Sequence, residues 1–366
     1  MSIVSKFKFT GDVLIPKNDE RFFRRGVTKN GDKSVSLGFT VKENGHNAAF
    51  VTLFGMATDV IKTRSVNNDA LEIDWNDRFD PEIVSSVATY RKHYIDDLKD
   101  PDAPRKEFIT DYDAIMYLHE NLQRDSRVVV TGTWEKNEYR GKISDKFRIN
   151  NLYLVSKDTA PSLTLTMDFF YNKDSIDEGS FKSDKKIYVN GYMSQYDSGY
   201  KKNMYFPQTA ILSAGMFDFE NEDHVKKWEY RKRYLDKTTK SKMYHIKWDC
   251  RYVSGAEEMP FDESMLTAAQ KEQIAFGIKT IDDFKPRNGV YGEKIVEVRL
   301  KDPELKGEFE NGLVECDETL KEFKENIFAP MTDESLEEVM KAVAAEKAEK
   351  PAPVEDIKDE TVEDLF

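Results

Sequence analysis

Alternation of apolar and polar side chains predicts most of the strands. Lys6 to Ile15 sets Phe7 and Phe9 against Lys6 and Lys8, the period of a first strand. Lys17 to Lys33 is charged, carries Phe22, Phe23, Arg24 and Arg25 at its centre, and reads as a loop turning at Asn30-Gly31. Ser34 to Lys42 and Ala48 to Met56 predict a second and a third strand joined through Asn44-Gly45, with Phe50 and Phe54 of the third taken as core. The alternation then lapses, and residues 59–110 read as a long insertion. Asp111 to Leu122 places Ile115, Leu118 and Leu122 at helical spacing. Arg127 to Trp134 and Lys146 to Val155 predict a closing hairpin turning over Asn137 to Lys142.

Lys157 to Ser162 reads as a linker, and a similar order begins again. Leu163 to Tyr171, Asp184 to Tyr192 and Asn203 to Ala214 predict strands. Met243 to Tyr252 alternates with Tyr244, Ile246, Trp248, Cys250 and Tyr252 on one face. Ser264 to Ile278 reads as a helix and Glu293 to Lys301 as a strand, and the pattern leaves open which segment is fourth in this half. Asp317 to Phe328 and Ser335 to Ala348 have helical character, the latter with a capping box at Ser335 and Glu338. From Lys350 the chain is rich in Pro, Ala, Glu and Asp, too poor in apolar surface to offset ordering, and is expected to be disordered.

One heptapeptide occurs twice. Tyr90-Arg91-Lys92-His93-Tyr94-Ile95-Asp96 returns as Tyr230-Arg231-Lys232-Arg233-Tyr234-Leu235-Asp236, 140 residues later, the size of a domain. Read as helix, each copy places its tyrosines on one face beside cations, suited to stacked bases and phosphates. Ile83, Val87, Tyr90, Tyr94 and Leu98 fit an apolar core stripe equally well.

Three strands, a helix and two strands is the order of an OB-fold, a five-stranded Greek-key barrel that often binds single strands or oligosaccharides. Phe7 to Met56 and Arg127 to Val155 resemble the opening and closing portions of bacterial-type single-stranded DNA-binding (SSB) proteins. The resemblance rests on a first strand reaching Gly11, an apolar strand ending Thr52-Leu53-Phe54-Gly55, and the Val-x-Val-x-Gly pattern before an aromatic-bearing turn. The long insertion and the tandem arrangement depart from that family and resemble a divergent, phage-type member. The expected fold is mainly β with α insertions: a first OB domain over 1–157, a second over 162–316, a helical segment over 317–349 and an acidic tail over 350–366.

A net charge of −13 argues against nucleic acid until its distribution is considered. Asp333 to Phe366 holds twelve acids and four lysines, a net of −8, which leaves −5 for residues 1–332. A nearly balanced body can carry a basic groove. Two cysteines, Cys250 and Cys316, lack metal-ligand spacing and imply reduced thiols in a cytoplasmic setting. No apolar run has the length of a membrane span or a signal peptide.

Catalytic motifs are missing: no phosphate loop, no Gly-x-Ser-x-Gly elbow, no His-Glu-x-x-His. The expectation is a binding protein without cofactor or metal. Its candidate strand-binding residues are aromatics interleaved with cations: Phe23, Arg24 and Arg25; Tyr90, Arg91, Lys92 and Tyr94; Trp134, Tyr139, Arg140, Lys142 and Lys146. The second half adds Tyr192, Tyr196, Tyr200, Lys201 and Lys202, then Tyr230, Arg231, Lys232, Arg233 and Tyr234. The terminus Glu363, Asp364, Leu365 and Phe366 resembles the partner-binding tails of SSB proteins without their Pro-Phe ending, which implies replication or recombination proteins as partners. The expected ligand is single-stranded DNA, with RNA still open. Two other classes remain, a structural adaptor built of OB-like barrels and a nuclease using paired carboxylates such as Asp96-Asp97.

Overall fold

β1 (Lys6–Leu14) buries Phe7, Phe9, Gly11 and Val13 and turns Lys6, Lys8 and Leu14 outward, as its period of two requires. The computed structural model describes residues 4–139, 141–197, 201–215, 217–256, 258–259, 261–286, 290–291 and 294–328. One unit runs over 1–136 and 145–328, and the hairpin tip 137–144 belongs to another.

After β1 the chain forms α1 (Asp19–Phe22), β2 (Phe23–Val27), β3 (Lys33–Lys42) and β4 (Ala48–Met56). The stretch expected to be a charged loop therefore holds a helical turn and a strand that pairs with β3 through Phe23↔Leu37 to Val27↔Lys33. Within 59–110 lie the hairpin β5 (Val60–Arg64) and β6 (Ala70–Asp74), then α2 (Pro81–Ser86), β7 (His93–Ile95) and β8 (Lys106–Phe108). This insertion has its own small core of Ile61, Ile73, Val87 and Ile109. α3 (Asp111–Asn121) follows, then β9 (Arg127–Tyr139) and β10 (Lys142–Leu154), longer than the sequence pattern implied.

These strands close on themselves. β1 pairs with β3, β3 with β4, β4 in parallel with β10 at Val51↔Phe147, β10 with β9, and β9 with β1 from Thr133↔Lys6 to Arg127↔Asp12. α3 enters between β4 and β9 in the chain, its first turn capped by the Thr110 hydroxyl accepting from the Asp113 N–H at 3.1 Å. Its Ala114, Ile115 and Leu118 are fully buried. A Cβ on Gly55 would stand 2.4 Å from the Tyr112 amide nitrogen, so this position of β4 must be glycine for the helix to approach.

The second half repeats the circuit. Its elements are β11 (Ser162–Tyr171), β12 (Ile176–Asp177), α4 (Phe181–Asp184), β13 (Lys186–Asp197), β14 (Lys202–Ser213), α5 (Glu222–Asp236) and β15 (Tyr244–Gly255). Then come β16 (Glu258–Met259), α6 (Ala268–Ala275), β17 (Val290–Tyr291), β18 (Ile295–Pro303), β19 (Val314–Glu315) and α7 (Leu320–Glu325). β11 pairs with β13, β13 with β14, β14 in parallel with β18 at Ile211↔Arg299, β18 with β15, and β15 with β11. β15 is therefore fourth and β18 fifth. The helices over 264–278 and 317–328 are shorter than expected, while the segments 335–348 and 350–366 lie outside the described residues.

The two circuits share one mainly β sheet. β1 pairs with β11 from Lys6↔Thr166 to Thr10↔Ser162, using the edge opposite to the one that holds β9. The row Phe9, Leu163, Tyr252 crosses this seam on the buried side, with Phe9 and Tyr252 rings 6.0 Å apart. The β3–β4 turn adds a second tie: Asn47 Oδ1 accepts from the Ser254 N–H at 2.7 Å, and the His46 carbonyl from Ala256 at 3.2 Å.

The repeated heptapeptide is not a repeated structure. Tyr230 to Asp236 is helical within α5, whose Asn221 cap accepts from the Asp223 and His224 N–H groups. In the first copy only Thr89–Arg91 makes a 3-10 turn; Lys92 is extended, and β7 pairs in parallel with β10 through Tyr94↔Asn151 and Ile95↔Leu152. Strand pairing overrides helical spacing there.

Asp12 binds the seam's far end. Its carboxylate accepts from Arg127 Nε at 2.9 Å and Nη2 at 3.0 Å, and lies 3.0 Å from Lys157 Nζ. The Arg127 guanidinium foremost, then Lys157, hold its pKa down at about 2. A carboxyl with a depressed folded pKa contributes stability above its unfolded pKa and loses it as pH falls through the folded value. Asp12→Asn should therefore lower stability by about 1 kcal/mol at pH 7, allowing for screening at this partly exposed site, with the deficit shrinking between pH 4 and 2. Urea unfolding of both proteins across that range measures it.

Candidate nucleic-acid interface

β4 separates two sets of side chains. Ala49, Val51 and Leu53 point inward and are buried, while Phe50, Thr52, Phe54 and Met56 point out. Phe50 and Phe54 are thus corrected from core to surface, 47% and 48% exposed. Register fixes their neighbours. Arg24, Ser36 and Phe54 form one row across β2, β3 and β4; Gly38 and Thr52 form the next; Leu14, Thr40 and Phe50 form the third. The surface is a strip of two exposed aromatic rings with the half-buried Thr52 between them, its hydroxyl turned out of solvent, and an exposed guanidinium at its edge.

Gly38 shapes this strip. A Cβ there would meet Phe50 Cζ at 2.5 Å, so the tip of the ring occupies the space over the bare backbone of β3. Beyond Phe50 a groove of about 500 Å³ opens between the β3–β4 turn and the end of β15, lined by Thr40, His46, Ala48, Phe50, Ser254 and Lys294. Along the seam, Lys6 and Lys8 point outward from β1, and among the described residues neither has an ion pair. Lys8 shares a row with Thr131, Thr164 and Arg251.

The residues selected by sequence fall into several places. Arg24 belongs to the strip. Phe23 faces α3, its ring stacked on His119 at 3.8 Å, with Arg25 5.6 Å above it. Tyr90 is exposed in the insertion, its hydroxyl donating to Asn68 Oδ1 at 2.5 Å and Arg91 lying 5.5 Å from its ring. Lys92 is buried against Glu107 at 2.9 Å, and Tyr94 is half-buried in β7. Neither Lys92 nor Tyr94 presents an open contact surface.

Trp134 is a correction. It is buried, its indole N–H donates to Asp145 Oδ1 at 2.7 Å, and it offers no face to a base. Lys146 is half-buried, 3.8 Å from Glu135. In the hairpin tip Lys142 is exposed; Arg140 and the side chain of Tyr139 lie outside the described residues.

In the second circuit Tyr196, Lys201 and Lys202 are exposed, Tyr192 packs against Phe323, and Tyr200 lies outside the described residues. The cluster on α5 is another correction. Tyr234 is buried, with Tyr230 edge-on at 5.6 Å, and the cations are already engaged. Arg231 is bound to Asp302 at 3.0 Å, Lys232 to Asp236 at 2.9 Å and Glu178 at 3.2 Å, while Arg233 donates to the Tyr234 hydroxyl at 2.9 Å. Glu363, Asp364, Leu365 and Phe366 lie outside the described residues.

The signal for Phe50 and Phe54 was present in the sequence. Thr52 shares their parity, whereas the alternate set is wholly aliphatic, so the face carrying Thr52 is the wet one. Among the described residues there is no cluster of three His, Cys, Asp or Glu placed to hold a metal, and no helix long and apolar enough to cross a membrane.

No family model matches this sequence, and no curated protein is significantly similar to it. Eight solved chains are similar in structure. They include the single-stranded DNA binding protein from Thermus aquaticus in wild-type form, 8% identical with a TM-score of 0.28 over 69% of this chain and 85% of that one. A deletion mutant of that protein gives 8% and 0.29 over 69% and 87%. A likeness this distant says nothing of what this chain binds.

Gly38→Ala tests the strip's geometry. The methyl group should swing the Phe50 ring, the end of a flexible side chain, off β3, and stability should change by no more than about 0.5 kcal/mol. A crystal structure of the variant and its urea midpoint report the two effects separately.

Proposed function

We propose that this chain binds single-stranded DNA through the outer face of its first circuit, with little dependence on base sequence. The observation that carries the reading is the pair Phe50 and Phe54, exposed on the strip with Thr52 between them and Arg24 beside them. Large rings cost free energy when left in water, so an uncovered aromatic strip on a sheet face marks a surface that something covers. Bases suit it. Every base has a π-face, and Arg24, Lys6, Lys8 and Lys294 supply positive charge along the same side of the sheet order.

In this reading the two circuits are tandem OB barrels over 1–157 and 162–316, and the protein coats transient single strands during replication or recombination, in a phage-type setting. The acidic tail, ending Glu363, Asp364, Leu365 and Phe366, recruits replication or recombination proteins by its charge and terminal ring. No catalytic step is assigned.

Titration with oligo(dT) tests the reading. Phe50→Ala and Phe54→Ala should each weaken binding by about 5- to 150-fold, the range for one lost base stack. Affinity should fall with salt on a log–log slope of about −0.7 per phosphate neutralised, and duplex DNA should bind far more weakly. Unchanged affinity in both variants, or equal affinity for duplex, would sink the proposal; a salt-insensitive protein partner for the same strip would replace it with the adaptor reading.

A further inference from the structure

The aromatic part of the corresponding face of the second circuit is covered, and the cover is part of this chain. On that face Phe170 of β11, Tyr192 of β13 and Pro207 of β14 form a row, as Leu14, Thr40 and Phe50 do in the first circuit. Residues 314–328 run across it. β19 pairs with β15 through Val314↔His245 and Glu315↔Tyr244 at one side, and Ile327 bridges to Tyr205 of β14 at the other. Between them α7 lowers Phe323 onto the sheet, where it is 1% exposed.

The strap has the chemistry of a short single strand. The Phe323 ring lies 3.8 Å from the Tyr205 ring at 20°, the geometry of a stacked base, and Tyr192 meets its edge at 5.4 Å. From Glu315 to Glu325 it carries five acids and two lysines. Its carboxylates sit on donors of the barrel: Glu315 on Lys242, and Glu318 on the Tyr205 hydroxyl at 3.2 Å. Lys202 reaches Asn326 Oδ1 at 2.7 Å.

The strap is held more by its rings than by its backbone. Beyond the two-residue β19–β15 pairing, its backbone bonds to the barrel among the described residues are Cys316 to Met243, Tyr205 to Asn326 and Phe328 to Tyr205. α7 has only six residues, well below the length at which a helix holds itself. A cavity of about 200 Å³ remains between it and Asn172, Asn190 and Tyr192.

Resting on the single-strand reading of the first circuit, we infer that Phe170, Tyr192 and Tyr205 form a second binding surface for single-stranded DNA, occupied by residues 314–328 until a long enough strand displaces them. A short strand then engages the first circuit alone, and a longer one engages both after Phe323 leaves its stack. The acidic strap and the phosphate backbone compete for Lys202 and Lys242.

Hydrogen exchange on the full chain provides the test, at one oligo(dT) per chain and with lengths of about 8 and about 30 nucleotides, the first within what one such barrel covers and the second well beyond it. The longer strand should speed exchange at Tyr205, Phe323 and Phe328 by at least about tenfold, and the shorter should leave them unchanged. In the full chain, Phe323→Ala should tighten the longer strand about tenfold and leave the shorter unaffected. Undiminished protection at those amides under the saturating longer strand overturns the inference, whatever the folding of the variant. Short-strand binding in Phe50→Ala/Phe54→Ala separates the two proposals: its loss together with a strap that stays protected sinks the second surface alone. Persistence of short-strand binding in that double variant sinks the first.

Discussion

The structure depends on β1 being used on both edges. Lys6 to Thr10 pairs with β9 on one side and with β11 on the other, so the strand that closes the first circuit also begins the sheet of the second. A strand with free edges would be a template for another chain; here both rows of backbone groups are consumed. The consequence is energetic as well as topological. Phe9, Leu163 and Tyr252 bury one another across the seam, and the apolar core runs without interruption from Phe7 to Leu300. Separating the circuits would expose both a row of unpaired amides and an aromatic surface, so they are expected to unfold together.

That constraint sets where ligands can go. With the seam fixed, the outer faces of β3–β4 and β13–β14 are held in place by the same sheet, the rings of one bare and those of the other covered. The difference lies in small sequence choices. The first circuit has Gly38, Thr40 and Thr52 around Phe50, which leave room for the ring and keep it half exposed. The second has Phe170, Tyr192 and Tyr205 crowded together, a patch too apolar to stay open, and Phe323 fills it. Burial and the Glu318 carboxylate push the Tyr205 phenol up, and its hydroxyl donates to Glu318 at 3.2 Å.

Strand order was legible because period two is a backbone property. β1, β3, β4, β13, β14 and β15 fall where the alternation placed them. What failed was anything that needed partners. The aromatic-and-cation pattern is the same whether a ring is exposed, as Tyr196 is, or buried with its cations engaged, as Tyr234 is beside Arg233. Trp134 looked like a platform because its neighbours are charged, yet those charges serve it: Asp145 accepts from its indole, and Lys136 lies 5.3 Å over its ring. The heptapeptide shows the same limit: two copies that share five of seven residues become α5 where an Asn cap and acidic first turn precede them, and β7 where β10 offers an edge. Parity was the missed clue. One threonine, Thr52, distinguishes the wet face of β4 from the dry one.

The negative total of −13 does not oppose the proposed ligand, because charge acts over the screening length and not over the molecule. At physiological salt that length is about 8 Å, a little more than the span of two residues along a strand. Lys6 and Lys8 are set that close on β1, with no ion pair among the described residues, whereas Asp12 on the same strand is already matched by Arg127 and Lys157. A phosphate at the seam would therefore meet the two lysines before it met any uncompensated acid of β1. Most of the net negative charge lies elsewhere: residues 333–366 account for −8 of it. Charge segregation of this kind favours a chain that holds a polyanion locally and is repelled from it over the rest of its surface, which limits non-specific collapse onto nucleic acid while leaving the strip open.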